Sequence, residues 1–438
     1  MADSDSNNNG NWWAPYIEYA VLSDLGMRRT NNQDNFRVVP AASSRLWLER
    51  GHFFAVADGM GAHAAGEFAS EIAAKTISSS YLKRTGESPY DAIKGAIQEA
   101  HFLIKQKGEA DESFHSMGTT ADVLLLLPEG ALNAHVGDSR TYRLRDGVYE
   151  QITFDHSLLW ELTKSEKAKN AYLADTSKKI PKNIITRSLG PGGNPKVDLE
   201  GPFPLKPGDV FLLCSDGLSG QVYDEEMAQI LSLFKPTEAV QSLVNLANFT
   251  GGPDNITVVV VKVLKLPNAE TTAKEAKAFA KRPPVPIKAW FFLTGSLAFL
   301  LLVLLLMKFL GIWSLVLMVG AVGCILLFLW SASPSFFPKT SEPREHQPFG
   351  KGPYARVSAA PTYNLAVKLL EIYIKINNAI HLMDPAKVAE TVNASKRAIE
   401  GKHYAKVIQG LMREINKDTV LMKSLKPDVK TSQHMRRG

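Results

Sequence analysis

Hydrophobic and polar positions alternate differently in the two parts of the chain. Up to about residue 266, short runs rich in β-branched and aromatic residues recur: HFFAVA (52–57), ADVLLLL (121–127), LNAHV (132–136), DVFLLC (209–214) and ITVVVVKV (256–263). Runs of that length and composition predict β-strands. Between the first two lie stretches with helical spacing, Ala64–Tyr81 and Tyr90–Lys107. Strands outnumber helices and the helices come as a block, which predicts an α+β architecture of packed sheets covered by helices.

Beyond residue 266 the pattern changes. From Ala289 to Trp330 the chain is almost unbroken hydrocarbon, with Lys308 its single charge. A membrane-spanning helix needs roughly 20 apolar residues, so this stretch predicts two spans, about 289–307 and 311–330, joined by a tight turn. The start, MADSDSNNNGNWW, lacks the basic and apolar regions of a signal peptide. Cations flank the spans on both outer sides (Lys281, Arg282 and Lys288 before, Lys339, Arg344 and Lys351 after), which places both ends of the chain in the cytoplasm. Farther on, Leu365, Leu369, Ile372, Ile376 and Ile380 fall on one helical face, and Asp384-Pro385 punctuates the chain before another helical pattern. The expected organisation is a disordered tail (1–13), a large domain (14–266), a charged tether (267–288), the hairpin (289–330), a linker (331–360), a helical region (361–425) and a basic tail (426–438).

Composition narrows the options. The 438 residues suffice for two or three domains, and 45% hydrophobic with 21% charged residues excludes a wholly disordered chain. Two cysteines, Cys214 and Cys324, exclude a disulfide framework and any cysteine-built metal site. The net charge of +6 is uneven: residues 1–266 hold 26 Lys+Arg against 33 Asp+Glu, and the rest 24 against 11. Because the basic excess surrounds the apolar hairpin, it is read as contact with membrane lipid, and no nucleic-acid partner is expected.

Aspartates mark the ends of the apolar runs. FFAVA leads into Asp58-Gly59, LNAHV into Gly137-Asp138, and FLLC into Ser215-Asp216-Gly217; Asp254-Asn255 stands just before ITVVVV, and Asp34 follows an upstream candidate strand. A single Asp-Gly pair is a turn former, and Asp146-Gly147 and Gly208-Asp209 are left as turns. Five acids at strand ends imply more, because carboxylates brought together repel unless cations join them. Oxygen-only ligands favour hard ions such as Mg²⁺ or Mn²⁺, and two such ions about 4 Å apart can bind phosphate oxygens and activate water.

The ordered motifs Ser23-Asp24-Leu25-Gly26…Arg29…Asn32-Gln33-Asp34, Asp58-Gly59-Met60-Gly61-Ala62-His63, Gly118-Thr119-Thr120, Val136-Gly137-Asp138-Ser139-Arg140, Asp216-Gly217-Leu218 and Pro253-Asp254-Asn255 resemble those of the metal-dependent (PPM, type 2C) protein phosphatases in their bacterial form. The resemblance covers 14–266. It implies a sandwich of two antiparallel β-sheets flanked by helices and hydrolysis of phosphoserine and phosphothreonine by metal-activated water. Carried over by position, Asp58, Asp216 and Asp254 with the Gly59 carbonyl would hold two Mn²⁺ or Mg²⁺ ions. Asp34 would hold metal-bound water, and Asp138 with Asp216 would form a third, weaker site. Arg29 would bind the substrate phosphate through its guanidinium fork. Phosphoproteins would be the substrates, an opposing Ser/Thr kinase a partner, and a bacterial inner membrane the location. A non-catalytic, membrane-tethered phosphoprotein adaptor is the alternative.

Three departures stand out. Met60 occupies the place of a proposed general-acid histidine, leaving metal-bound water, His63 or His156 for that role, with a structural role the expectation for each histidine. Gln33 replaces a common Glu, and Ala62 replaces a glycine. Cys214 lacks the phosphate-cradling loop of a cysteine phosphatase. Residues 157–186 correspond to the family's variable flap.

Overall fold

The computed structural model describes residues 12–61, 65–163, 184–268, 349–380, 384–424 and 436–437. Two antiparallel sheets carry the large domain. One comprises β1 (Ile17–Asp24), β7 (Arg140–Arg145), β8 (Val148–Gln151), β10 (Val210–Cys214), β11 (Ile256–Val263), β12 (Ala355–Ser358) and β13 (Arg436–Arg437), in the order β12-β8-β7-β10-β11-β1-β13. The other orders β2 (Asp34–Val39), β3 (His52–Met60), β5 (Ala121–Leu127), β6 (Gly130–Val136) and β9 (Asp198–Phe203) as β2-β3-β5-β6-β9, with β4 (Gly118–Thr119) paired to the end of β3.

The near-continuous apolar runs exist because the central strands are buried on both faces. Along β11, Val259, Val261 and Val263 point into the layer between the sheets with Phe54, Leu124 and Phe211. Ile256, Val258 and Val260, offset by one, pack outward against helices. Strand β5 divides likewise, with Leu124 and Leu126 between the sheets and Val123, Leu125 and Leu127 under helices. Two-residue periodicity thus feeds two cores from one run.

Helices cover both outer faces. After the short α1 (Ser44–Arg50), α2 (Ala65–Lys83) and α3 (Pro89–Ala110) pack on the β2-β3-β5-β6-β9 sheet. Pro89 sits in the first turn of α3, and the Ser88 hydroxyl accepts from the Asp91 N–H at 3.1 Å. Beyond α4 (Leu158–Thr163) and α5 (Asp216–Ser219), α6 (Asp224–Leu233) and α7 (Pro236–Phe249) cover the other sheet. The helical block expected from sequence is therefore only one of two outer layers.

The chain then adds three further helices, α8 (Tyr363–Ile380), α9 (Pro385–Glu400) and α10 (Tyr404–Ser424). Asp384 caps α9 by accepting from the Ala386 N–H at 3.0 Å. Leu365, Leu369 and Tyr373 of α8 and Ile408, Leu411 and Ile415 of α10 are buried in one apolar cluster with Val240, Leu243 and Val244 of α7. Polar contacts fix the register: Asn245 Nδ2 donates to Asn416 Oδ1 (2.8 Å) and Asn416 Nδ2 to Ser242 Oγ (3.0 Å). Just before α8, β12 extends the sheet by pairing with β8.

The expected membrane location is corrected here. A span requires one long helix whose backbone is satisfied internally and whose surface is apolar, and among the described residues no helix is long and apolar enough to cross a membrane. The apolar run 289–330, assigned as a hairpin, lies outside the described residues, as do the tether and most of the linker. No helix among the described residues supports the expected inner-membrane location.

Since the C-terminal helices share a core with α7, Leu369→Ala is expected to cost about 2–5 kcal/mol, the range for emptying a fully buried leucine site. Urea unfolding of the full chain should show one cooperative transition moved to lower urea. Two separated transitions, with only the smaller one moved, would contradict a shared core.

Candidate metal centre

Strand ends bring the five aspartates to one end of the sandwich, near enough for each to act electrostatically on at least one other. Strand pairing sets the first two side by side: Asp34 opens β2 and lies opposite Asp58 of β3. Strand β3 runs past Asp58 instead of ending there, leaving β5 and pairing Gly59 with Thr119 of β4. The Gly-Thr-Thr motif clamps this crossing, since the Asp58 N–H donates to Thr120 Oγ1 (2.8 Å) and the Asp58 carbonyl accepts from Thr119 Oγ1 (2.8 Å) and the Thr120 N–H (2.9 Å).

Asp216 begins α5 directly after β10. Ser215, between them, donates to Asp34 Oδ2 at 2.7 Å and accepts from the Thr257 N–H at 3.0 Å. Asp254 sits on the loop before β11. Its neighbour Asn255 ties that loop to the first motif by accepting from the Gln33 N–H (2.8 Å) and donating to the Leu25 and Asn31 carbonyls (3.0 Å each). Close approach explains two motif glycines. Gly26 has φ +78°, and a Cβ there would overlap the Asp254 carbonyl; a Cβ on Gly217 would overlap the Asn255 carbonyl. Asp138 follows β6, and its Oδ1 is buried without a hydrogen-bond partner.

Crowding shows in the titration of these groups. Burial pushes Asp34 up to about 7 despite the Ser215 hydrogen bond, with Asp216 and Asp254 adding to the rise. Burial likewise pushes Asp138 up to about 7, helped by Asp216 and Asp155. Asp58 is held well above the usual carboxylate range by burial and then by Asp34, Asp216, Asp138 and Asp254. Asp216 is raised by burial and by Asp254, while its hydrogen bond with Asp58 and the nearby Arg29 pull it back. Each is the response of an anion deprived of water and set among like charges.

Arg29 faces the same site, and its Nη2 pairs with Asp254 Oδ2 at 2.8 Å. With side chains 48% and 33% exposed, such a pair is worth about 0.2–1 kcal/mol. Either partner can therefore be drawn to a stronger ligand at little cost.

Arg29, Asp138, Asp216 and Asp254 line a cleft of about 990 Å³ whose walls also include Arg140, Asp155, Trp160, Tyr223, Asp224 and Lys368. Sequence reasoning missed several of these. Asp155 is gripped by Arg140 through Nε–Oδ1 (3.0 Å) and Nη2–Oδ2 (2.7 Å), and the guanidinium lies 5.5 Å from the Trp160 ring centre. The Asp138-Ser139-Arg140 motif contained the arginine, but nothing local marked Asp155 as its partner. Lys368 comes from α8, more than 100 residues beyond the last motif, and no pattern linked it to the cleft.

Two candidates are excluded. His156 is fully buried, accepts from the Gly137 N–H at Nδ1 (3.0 Å) and contacts Asp198 Oδ2 through Nε2 (3.0 Å). Burial pushes it down to about 4, so it is a neutral structural imidazole and not a proton donor at neutral pH. Burial pushes the Cys214 thiol up, which keeps it protonated and inert. His63, the other histidine weighed as an acid, lies outside the described residues.

The donor set fits hard divalent ions. Asp34, Asp58, Asp138, Asp216 and Asp254 offer oxygen alone, burial and acidic neighbours raise the proton affinity of the first four, and Asp138 Oδ1 is a buried acceptor without a donor. Among the described residues no three acidic or imidazole groups already converge as a finished cage. Two of the carboxylates are turned to other partners, Asp254 to Arg29 and Asp34 to Ser215.

The sequence model of the family described as Protein phosphatase 2C matches residues 27–249, just over half of the chain. The chain belongs to the protein phosphatase 2C family. The matched span contains Arg29, Asp34, Asp58, Gly59, Asp138 and Asp216, with Asp254 just beyond it. The chain is 36% identical over 259 residues to the protein phosphatase PhpP of Streptococcus pneumoniae, covering 56% of this chain and 98% of that one. It is 34% identical over 245 residues to the serine/threonine phosphatase stp of Listeria monocytogenes, covering 55% and 93%. A solved structure of the catalytic domain of the serine/threonine protein phosphatase PstP in complex with two manganese ions is 33% identical, covers 57% of this chain and 99% of that one, and superposes with a TM-score of 0.48.

A pH dependence follows for this type 2C domain. Asp34 and Asp138 take up protons near pH 7 when folded but near 3.8 when unfolded. Below about pH 4 both states are protonated and the difference vanishes. As pH rises toward 7 the unfolded chain releases its protons first, which favours unfolding. In EDTA, the Tm of the full chain should fall between pH 5 and 7.5, and Asp34→Asn should flatten that slope. Mn²⁺ should raise Tm more at pH 7.5 than at pH 5. A metal effect that is stronger at pH 5 would contradict this electrostatic account.

Proposed function

We propose that this chain is a divalent-metal-dependent phosphatase that removes phosphate from phosphoserine and phosphothreonine in proteins, reversing the action of a protein kinase. The observation that carries the reading is a set of mutually repelling, oxygen-only carboxylates sharing one cleft with an exposed arginine.

This reading gives each residue the role that the family resemblance implies. Asp58, Asp216 and Asp254, with the Gly59 carbonyl, would hold two Mn²⁺ or Mg²⁺ ions, and Asp138 would contribute with Asp216 to a third, weaker site. When bound, the ions supply charge neutralisation for the phosphoryl oxygens and make water a competent nucleophile at neutral pH. Asp34, fixed by the Ser215 hydroxyl, would orient that water from beside Asp58. Arg29, held to Asp254 only by an exposed pair, would turn to the substrate and offer its planar fork to two phosphoryl oxygens of the dianion. Thr119 and Thr120 hold Asp58 in place by fixing its backbone N–H and carbonyl. No side-chain nucleophile is needed, in keeping with the inert Cys214.

Activity of the full chain on p-nitrophenyl phosphate with Mn²⁺ tests this directly. Turnover should be abolished by EDTA and restored by Mn²⁺. Asp216→Asn should lower kcat/KM by more than about 100-fold, the upper range for losing a mere outer partner of a metal ligand. Arg29→Ala should act mainly on KM, raising it about tenfold through loss of a charge-assisted phosphate contact. EDTA-resistant turnover, or full activity in Asp216→Asn, would overturn the assignment.

A further inference from the structure

The C-terminal helices reach the rim of the catalytic cleft. Lys368 of α8 lines it, and its Nζ contacts both carboxylate oxygens of Glu226 on α6 at 2.7 and 2.8 Å. The same carboxylate accepts from the Tyr223 N–H at 3.2 Å. Lys368 Nζ also stands 5.7 Å from the centre of the Tyr223 ring. One ammonium thus braces the turn that enters α6. Tyr223 itself is 73% exposed, the largest exposure among the exposed large hydrophobics of the described residues. It lines the cleft and has Asp224 and the exposed Glu225 beside it.

We propose that Tyr223 is a specificity residue that packs against the polypeptide flanking the phosphorylated residue, and that Lys368 is the positioning residue through which the C-terminal helices hold it there. The proposal rests on the phosphatase reading above. The cleft is continuous from Arg29 and Asp254 to Tyr223 and Lys368, so a chain whose phosphoryl group lies at Arg29 must leave past this wall. An aromatic with a rigid body and a polar tip suits such a contact, because it loses few rotamers on binding. The neighbouring Asp224 and Glu225 favour a segment carrying basic residues. Small aryl phosphates end before this wall and are indifferent to it.

The test compares the full chain acting on p-nitrophenyl phosphate and on a lysine-containing phosphothreonine peptide of about ten residues, both with Mn²⁺. Tyr223→Ala should cut kcat/KM for the peptide about tenfold, the usual loss for an interface aromatic, and the peptide loss should exceed the aryl phosphate loss at least fivefold. Lys368→Ala should shift the same ratio in the same direction through KM, and Lys368→Arg should restore it. Equal losses on both substrates, or an unchanged ratio, would overturn the proposal. Absence of turnover on both substrates in the unaltered chain would overturn the phosphatase reading itself.

Discussion

Repulsion among buried carboxylates is the constraint around which this molecule is built. Asp34, Asp58, Asp138 and Asp216 are all raised by burial and by acidic neighbours. A fold that gathers such groups must over-determine their positions. Here the backbone does so, through the β2–β3 register that pairs Asp34 with Asp58, the double threonine clamp on Asp58, and the Asn255 side chain that joins the Asp254 loop to the first motif. The concentration of polar cross-links at this end of the sandwich offsets a local electrostatic cost.

The remainder of the fold supplies rigidity. Strands buried on both faces leave β3, β10 and β11 little freedom to shift, so the residues at their ends are carried on fixed mounts. The helices α8 and α10 extend that rigidity by completing the core over α7, and through Lys368 they brace the turn at the mouth of the cleft. Packing and recognition are therefore coupled in one body.

Much of this was legible in the sequence, for identifiable reasons. ADVLLLL and ITVVVVKV form strands over the residues expected, because continuous apolar runs of seven or eight suit a strand sandwiched between two cores. The placement of Asp58, Asp138, Asp216 and Asp254 near strand ends followed from where those runs stop. Half-polar strands were harder: β2, with DNFRVV, and β9, with DLEGPF, lack a long apolar run, and the pairing that makes them strands is non-local. The second helical layer was missed because α6 and α7 lie between the motifs that drew the reading. Asp155 and Lys368 could not be placed at all, since only tertiary packing brings them to the cleft. The membrane assignment rested on apolar length alone in 289–330, and no described helix supplies a span.

Calorimetric titration of Mn²⁺ into the metal-stripped full chain near pH 7, repeated in buffers of different ionisation enthalpy, is the most direct test. Asp34 and Asp138, raised to about 7, are partly protonated there and would shed protons as divalent cations enter beside them. The account requires saturable binding whose apparent enthalpy changes with the buffer in the direction of proton release. Binding without proton release, or no saturable binding, would contradict it.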